Sequence, residues 1–304
     1  MPERRDSCVP ERNDGCVPER HDGCVRVVDR VELLRKELDA ARAGGRRVGL
    51  VPTMGALHDG HLSLVRQAAA ECDLVLVTDF VNPLQFGPRE DFTRYPRDIE
   101  RDVALAASAG ADLVFAPSVE EMYPEVPQVR VAVGGSLADR LEGATRPGHF
   151  SGVATVVAKL FAIAGPCRAY FGEKDYQQLL VVRRLAVDLS FPVDVVGCPT
   201  VREPDGLALS SRNAYLSADE RRAATALYRA LATAAGSEDR DAGHLRSLMA
   251  ASVRADPPAR LDYADVVDVA TLEPLDEVHG RARLLIAAWI GPTRLIDNME
   301  VIRS

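Results

Sequence analysis

The residues Val51-Pro52-Thr53-Met54-Gly55-Ala56-Leu57-His58-Asp59-Gly60-His61 place two imidazoles three positions apart in a glycine-broken stretch. The apolar run Arg47-Val48-Gly49-Leu50-Val51 before it reads as a buried strand, and the run from Leu62 to Ala70 after it reads as a helix. A strand, a turn and a helix N-terminus in this order carry free N–H groups and the positive end of the helix dipole up to an anion. The spacing of His58 and His61 lets both rings face one ligand, and Gly60 leaves room for a nucleotide to lie close to the backbone. In this setting the His-x-Gly-His pattern points to the nucleotidyl-transferring branch of α/β proteins.

Four other polar clusters fall where predicted strands end, the place at which α/β sheets keep their ligand crevice. Asn82 and Gln85 lie just past a strand, ahead of Tyr95-Pro96-Arg97; alone they also fit ordinary turn polarity. Arg146 and His149 precede a long apolar helix and suit an anion, or else solvent. In Phe171-Gly172-Glu173-Lys174-Asp175 a lysine stands between a strand end and a helix start, with Gln178 one turn on and on the same side. Asp175 by itself reads as a helix N-cap. The fourth cluster, Leu209-Ser210-Ser211-Arg212-Asn213, sets two hydroxyls beside a guanidinium. That trio can grip a departing pyrophosphate, or serve as a polar loop before a second domain.

The elements that must position these groups alternate. Strands are predicted at 47–51, 74–81, 113–116, 168–171 and 193–198, with a short edge strand at 129–133. Helices are predicted at 62–70, 98–109, 150–163 and 176–189, after a first helix to Ala43 that a capping box of Asp29 and Glu32 opens and Gly44-Gly45 closes. This alternation predicts an α/β fold with a doubly wound, parallel, Rossmann-like sheet. Past the junction at Pro199 to Gly206 the rhythm changes. Ser217 and Glu220 cap a helix to about Ala234, a second helix covers 241–255, and strands follow at 261–267, 283–290 and 295–301. These describe a smaller C-terminal α+β domain. The domain expectation is therefore a tail over 1–26, a nucleotide- and substrate-binding domain over 27–199, and a lid domain over 200–304.

Residues 3–26 are three copies of an octapeptide, Glu-Arg-x-Asp-Ser/Gly-Cys-Val-Pro/Arg. One valine per repeat among prolines and charges cannot bury a core, so a disordered, dispensable appendage is expected. The eight-residue spacing of Cys8, Cys16 and Cys24, even with His21, matches no usual zinc arrangement. The whole chain has 304 residues and a net charge of −8, a balance that argues against a nucleic-acid partner. Its longest apolar run carries Lys159 and falls short of a membrane span, and no secretory signal opens the sequence. Cys72, Cys167 and Cys198 are scattered without a disulfide framework, which suits a reducing cytoplasm.

Taken together, Pro-Thr-Met-Gly-x-Leu-His-x-Gly-His, Phe-Val-Asn-Pro-x-Gln-Phe, Arg-Pro-x-His-Phe, Phe-Gly-Glu-Lys-Asp-x-Gln-Gln and Ser-Ser-Arg-Asn resemble the pantothenate synthetases, in their order and over residues 27–304. The resemblance implies a ligase that joins (R)-pantoate to β-alanine through a pantoyl adenylate, splitting ATP to AMP and pyrophosphate with Mg²⁺, and a homodimer. It implies that Met54, Gly55, His58 and His61 hold ATP, with His61 as the proton-donating catalytic histidine. Gly172, Glu173, Lys174, Asp175, Val201, Leu209, Ser210, Ser211 and Arg212 would complete that site, while Gln85 and Gln178 would bind pantoate. Asn82, Tyr95, Arg146 and His149 are expected around pantoate and β-alanine.

Attack of a carboxylate on an α-phosphorus needs positioning and cations rather than a covalent enzyme nucleophile. His58, His61, Lys174 and Arg212 are the expected catalytic groups, with Mg²⁺ bridging phosphates near Asp102. Two other readings compete: a different adenylyl-transferring enzyme with the same histidine motif, and a non-catalytic nucleotide-binding protein.

Overall fold

A computed structural model describes residues 25–87 and 92–304. The expectations for the repeats, including disorder and the roles of Cys8, Cys16, Cys24 and His21, lie outside the described residues except at Val25 and Arg26. In chain order the elements of the first unit are β1 (Arg26–Val28), α1 (Val31–Ala43), β2 (Val48–Thr53), α2 (Asp59–Glu71), β3 (Leu74–Asp79), α3 (Ile99–Ser108) and β4 (Leu113–Phe115). Three short helical turns follow, α4 (Val119–Met122), α5 (Ser136–Asp139) and α6 (Glu142–Thr145), and then α7 (His149–Ala164), β5 (Cys167–Gly172), α8 (Tyr176–Asp188) and β6 (Val193–Cys198).

The six strands form one parallel sheet in the order β1-β4-β3-β2-β5-β6. Parallel strands covered on both faces must be apolar throughout, and β2 and β3 (VGLVPT and LVLVTD) are buried along almost their whole length. The chain runs outward from β2 through β3 to β4, then returns to add β5 and β6 on the other side. The topological switch point therefore lies between β2 and β5, where α/β sheets open a crevice. These two strands pair only at Gly49–Arg168 and Leu50–Ala169, whereas β5 and β6 stay in register through Gly172–Cys198.

Three local expectations change. α1 opens at Arg30 with no side-chain cap: the Val31 N–H donates instead to Glu121 Oε1 at 2.8 Å, so a tertiary contact replaces the Asp29–Glu32 box. No strand forms at 129–133. The Val131 and Val133 N–H groups donate to Thr155 Oγ1 and Ser151 Oγ on α7, at 3.0 and 3.3 Å, which leaves the segment extended against a helix. The first unit also begins inside the expected tail over 1–26. Val25 is buried, and Arg26, counted above with the repeats, starts a strand that pairs with β4.

The second unit holds α9 (Ala218–Ala224), α10 (Ala226–Gly236) and α11 (Ala242–Arg254) against an antiparallel sheet, β7 (Ala259–Asp268), β8 (Gly280–Ile290) and β9 (Thr293–Arg303), in the order β7-β8-β9. The Ser217–Glu220 capping box is present, but the helix it opens breaks at Thr225 rather than running to Ala234. Leu227, Leu231, Leu245 and Met249 pack on Leu284 and Ile286 to make its own core.

Because Val25 and Val28 are both buried beside the sheet edge, a chain beginning at Val25 should melt at the native temperature. One beginning at Asp29 loses β1 and those two side chains, each worth about 1.5–3 kcal/mol when fully buried. At roughly 2–4 °C per kcal/mol for a chain of this size, its melting temperature should fall by about 6–24 °C. Calorimetry on the two truncations checks this.

Candidate active site

Where β2 and β5 part, a cavity of about 230 Å³ opens, lined from the sheet side by Thr53, Met54, His58, His61 and Gly172. The turn between β2 and α2 is bent by two successive left-handed residues, Gly55 (φ 76°) and Ala56 (φ 51°). A side chain at Gly55 would sit 2.3 Å from Asp79 Oδ1, so this position requires glycine for space as well as for its dihedral. Gly55 itself is not on the cavity wall; its contribution is the bend. Thr53 Oγ1 accepts the Gly55 N–H at 3.1 Å, and both carboxylate oxygens of Asp102 accept the next two N–H groups, Ala56 at 2.6 Å and Leu57 at 2.8 Å. Asp102 is 1% exposed. The expectation that it holds a metal is thereby replaced: its oxygens face the turn from below, not the cavity.

His58 caps α2 with its ring, Nδ1 accepting the Gly60 N–H at 3.1 Å. That bond fixes the proton of the neutral ring on Nε2. A Cβ on Gly60 would lie 2.8 Å from His58 Cε1, so glycine here leaves room for the His58 ring, and Gly60 itself lines the cavity. The His58 and His61 rings lie 4.1 Å apart between centroids, tilted by 32°. Burial, reinforced by the Lys174 ammonium, pushes His58 down to about 4; burial, reinforced by His58, pushes His61 down to about 3. Both are neutral at pH 7, which corrects the expectation that they supply positive charge. His61 Nδ1 is buried with no hydrogen-bond partner among the described residues.

The opposite wall comes from the 3₁₀ turn Pro83–Gln85 and from α7. Asn82 is 1% exposed and fully engaged: Nδ2 donates to Gln85 Oε1 and the Gly152 carbonyl at 3.2 Å each, while Oδ1 accepts Leu84 N–H and Tyr123 O–H. It lines the cavity and orients Gln85. Gln85 Nε2 lies 2.7 Å from Met54 Sδ. Gly152 permits this wall, since a Cβ there would sit 2.2 Å from the Leu84 carbonyl oxygen. Arg146 Nη1 is 2.8 Å from His149 Nε2, and because arginine only donates, His149 donates from Nδ1 to the Gln85 carbonyl, also at 2.8 Å. Tyr95 O–H reaches Ser211 Oγ at 3.4 Å.

Lys174, Asp175 and Gln178 sit at the carboxyl end of β5 and the start of α8, and Val201, Leu209, Ser210, Ser211 and Arg212 come over from the following segment. Lys174 Nζ and Asp175 Oδ1 are 3.7 Å apart. Asp175 occupies the N-cap position of α8 without making a cap bond. Burial alone would raise its carboxyl; neighbouring charges, led by Lys174 and Arg212, outweigh that and hold it below the usual range, so it is ionised. Glu173 also departs from expectation. Its carboxylate faces away to Arg283 at 3.4 Å, and its carbonyl, with that of Lys174, accepts Asn298 Nδ2 at 2.9 and 2.8 Å. A second cavity of about 980 Å³ shares Arg146, Lys174, Gln178 and Arg212 with the first and extends towards Trp289 and Arg294.

Sequence reasoning missed Thr53, Arg101 and the outer-cavity pair Glu142–Arg294. Arg101 Nη2 donates to the Leu57 carbonyl at 3.2 Å, and Arg294 binds Glu142 through two bonds of 2.7 and 2.8 Å. Only the fold brings Arg101 to Leu57 and Arg294 to Glu142, whereas Thr53 lies within the Pro-Thr-Met-Gly motif and bonds a residue two positions on.

The family model for pantoate–beta-alanine ligase matches residues 26–300. The chain belongs to that family. It is 53% identical over 280 residues to the pantothenate synthetase of Moorella thermoacetica, covering 90% of this chain and 98% of that one. It is 60% identical over 267 residues to that of Rubrobacter xylanophilus, covering 84% and 92%. A crystal structure of pantothenate synthetase from Thermus thermophilus superposes with a TM-score of 0.87 at 54% identity, over 91% of this chain and all of that one. The pantoate–beta-alanine ligase of Francisella tularensis, solved as a complex with beta-gamma ATP and beta-alanine, superposes at 0.77 with 35% identity, over 91% and 97%.

The depressed histidine values set a pH signature for this ligase. A histidine whose pKa falls on folding contributes stability fully present above the unfolded value, about 6.5, and lost as pH drops through the folded value. For His61 the window runs from about 6.5 down to about 3. Asp79, pushed up to about 6 by burial and Asp102, slopes the opposite way, so the comparison must be between variants. Between pH 7 and 4 the wild-type melting temperature should fall more steeply than that of His61→Gln. Parallel curves would show that His61 is not held neutral.

Proposed function

We propose that this chain condenses (R)-pantoate with β-alanine in an ATP-dependent reaction that passes through a pantoyl adenylate and releases AMP and pyrophosphate. The observation that carries the reading is the composition of the inner cavity. Two neutral imidazoles and the cations Lys174 and Arg212 face two neutral carboxamides, Gln85 and Gln178. In the first step a pantoate carboxylate oxygen bonds to the α-phosphorus as the bond to pyrophosphate breaks. In the second the β-alanine nitrogen bonds to the pantoyl carbonyl carbon, AMP leaves, and the amine gives up a proton.

The residues divide accordingly. The Nε2–H of His58 is a neutral donor for phosphate oxygen, with His61 stacked beside it. Lys174 and Arg212 stabilise charge on the phosphates, and Ser210 and Ser211 hold the leaving pyrophosphate. Gln178, whose amide has no partner among the described residues, binds pantoate with Gln85. Neutral amides serve the pantoate hydroxyls without drawing charge from the attacking carboxylate. Among the described residues no three metal-ligating side chains cluster, and Asp175 is the carboxylate on the inner cavity wall. That donor set fits a Mg²⁺ ion carried mainly by nucleotide phosphates and reached by Asp175. When bound, the ion would neutralise phosphate charge.

Residues 200–304 act as the lid in this reading, since they deliver Ser210 to Arg212 and shield a water-sensitive mixed anhydride. A homodimer is supported by the extended segment around 126–133, where Val126 is 78% and Val129 87% exposed and no strand is paired; a second copy adding a strand would cover it. No helix among the described residues is long and apolar enough to cross a membrane, and Cys72, Cys167 and Cys198, buried and outside any disulfide, fit a cytoplasmic enzyme.

Pantoate carrying ¹⁸O in its carboxylate should deliver one label to AMP, with pyrophosphate formed before β-alanine is added. Label in inorganic phosphate, or ADP as product, would overturn the mechanism. Gln178→Ala should weaken pantoate binding about 5- to 150-fold, the equivalent of about 1–3 kcal/mol for an unpaired polar group, with ATP affinity little changed. Isothermal calorimetry with each ligand measures both, and equal losses would deny Gln178 its selectivity role.

A further inference from the structure

The geometry points to Asp102 as the positioning residue for the nucleotide-binding turn, acting through the backbone of Ala56 and Leu57 rather than through a metal. This rests on the ligase reading above and adds a residue to it. Ala56 holds a left-handed conformation that costs an alanine steric strain, directly after the left-handed Gly55. Such a turn persists only if its surroundings over-determine it. Here Asp102 accepts both following N–H groups at 2.6 and 2.8 Å, and Arg101 donates to the Leu57 carbonyl at 3.2 Å. The first turn of α3 thus grips residue 57 on both of its peptide groups. The next residue is His58, whose extended backbone (φ −140°, ψ 172°) and cap bond to Gly60 aim Nε2. Without the carboxylate, two buried donors lose their acceptor and the turn can relax its left-handed residue, swinging the His58 ring.

The rival reading is a cation held between Asp102 and the neighbouring Asp79. It conflicts with the geometry: Asp102 lies 1% exposed with each oxygen already on an N–H, and Arg101 Nη1 adds a cation 3.4 Å from Oδ1. A metal would have to displace those bonds.

The test uses the full chain with Asp102→Asn and Asp102→Ala, each first checked for a cooperative thermal transition. Binding of ATP is measured by calorimetry with Mg²⁺ chelated, then turnover is measured across a Mg²⁺ series. Positioning predicts metal-free ATP affinity weakened about tenfold in Asp102→Ala and less in Asp102→Asn, which keeps one oxygen acceptor. It also predicts kcat lowered about 10- to 100-fold, KM for pantoate within about twofold, and half-saturating Mg²⁺ unchanged. Metal-free ATP affinity equal to wild type, or activity restored by excess Mg²⁺, overturns it. A melting temperature that falls while KM for ATP stays constant also overturns it, by reducing Asp102 to a scaffold role. If Asp102→Ala does not fold, the near-isosteric Asp102→Asn carries the same readouts. Wild-type protein that fails to bind ATP would instead count against the ligase reading itself.

Discussion

The parting of β2 from β5 after two paired positions is the constraint on which the site depends. A parallel sheet that winds outward in both directions from one point cannot cover that point with a crossover helix, so the carboxyl ends there stay open. Each strand then delivers a helix N-terminus to the gap: α2 with His58 and His61, α8 with Asp175 and Gln178. The rest of the site comes from α7 and from loops that can reach this opening, including the 3₁₀ turn bearing Gln85 and the segment bearing Ser210 to Arg212.

The second unit is tied to the same gap by backbone. Asn298 on β9 bonds the carbonyls of both Glu173 and Lys174, and Arg283 on β8 stacks 3.8 Å over the Tyr176 ring while reaching the Glu173 carboxylate. Lys174 therefore takes its backbone position from the small antiparallel sheet as well as from β5. The Glu142–Arg294 pair, with Asp262 bonded to the same guanidinium, makes a second tie at the outer cavity. Further polar ties run from Arg140 to Asp265 and from the Tyr176 hydroxyl to the Val269 carbonyl, and Val267, Leu272 and Leu285 join the core of the first unit, so apolar packing reinforces these contacts.

Legibility in the sequence followed the range of the interactions. Strands and helices of the first unit were readable because continuous apolar runs and 3.6-residue periodicity are local signals, as was the Ser217–Glu220 cap. The Asp29–Glu32 box failed because Glu121, ninety residues from Val31, supplies a better-placed acceptor. The strand expected at 129–133 failed because α7 hydroxyls satisfied its N–H groups. Among site residues, the chemical type of His58, Lys174 and Arg212 was visible, but direction was not. Asn82, Glu173 and Asp102 carry functional-looking polar groups that the fold turns towards other protein atoms.

The electrostatics resolve an apparent conflict between an acidic chain and a polyanionic substrate. A net charge of −8 repels ATP at long range, yet screening limits such repulsion to about 8 Å at physiological ionic strength. Inside the cavity, Lys174 and Arg212 act without histidine cations to compete with them, because burial keeps both imidazoles neutral. In the proposed mechanism a neutral Nε2–H would still donate to phosphate oxygen, and would do so without ion-pairing to the pantoate carboxylate. A charged histidine pair would bind that nucleophile and lower its reactivity. In the proposed mechanism, burial of His58 and His61 would separate two tasks: Lys174 and Arg212 would hold the phosphates, while neutral donors would orient the reacting groups and leave the attacking oxygen its charge.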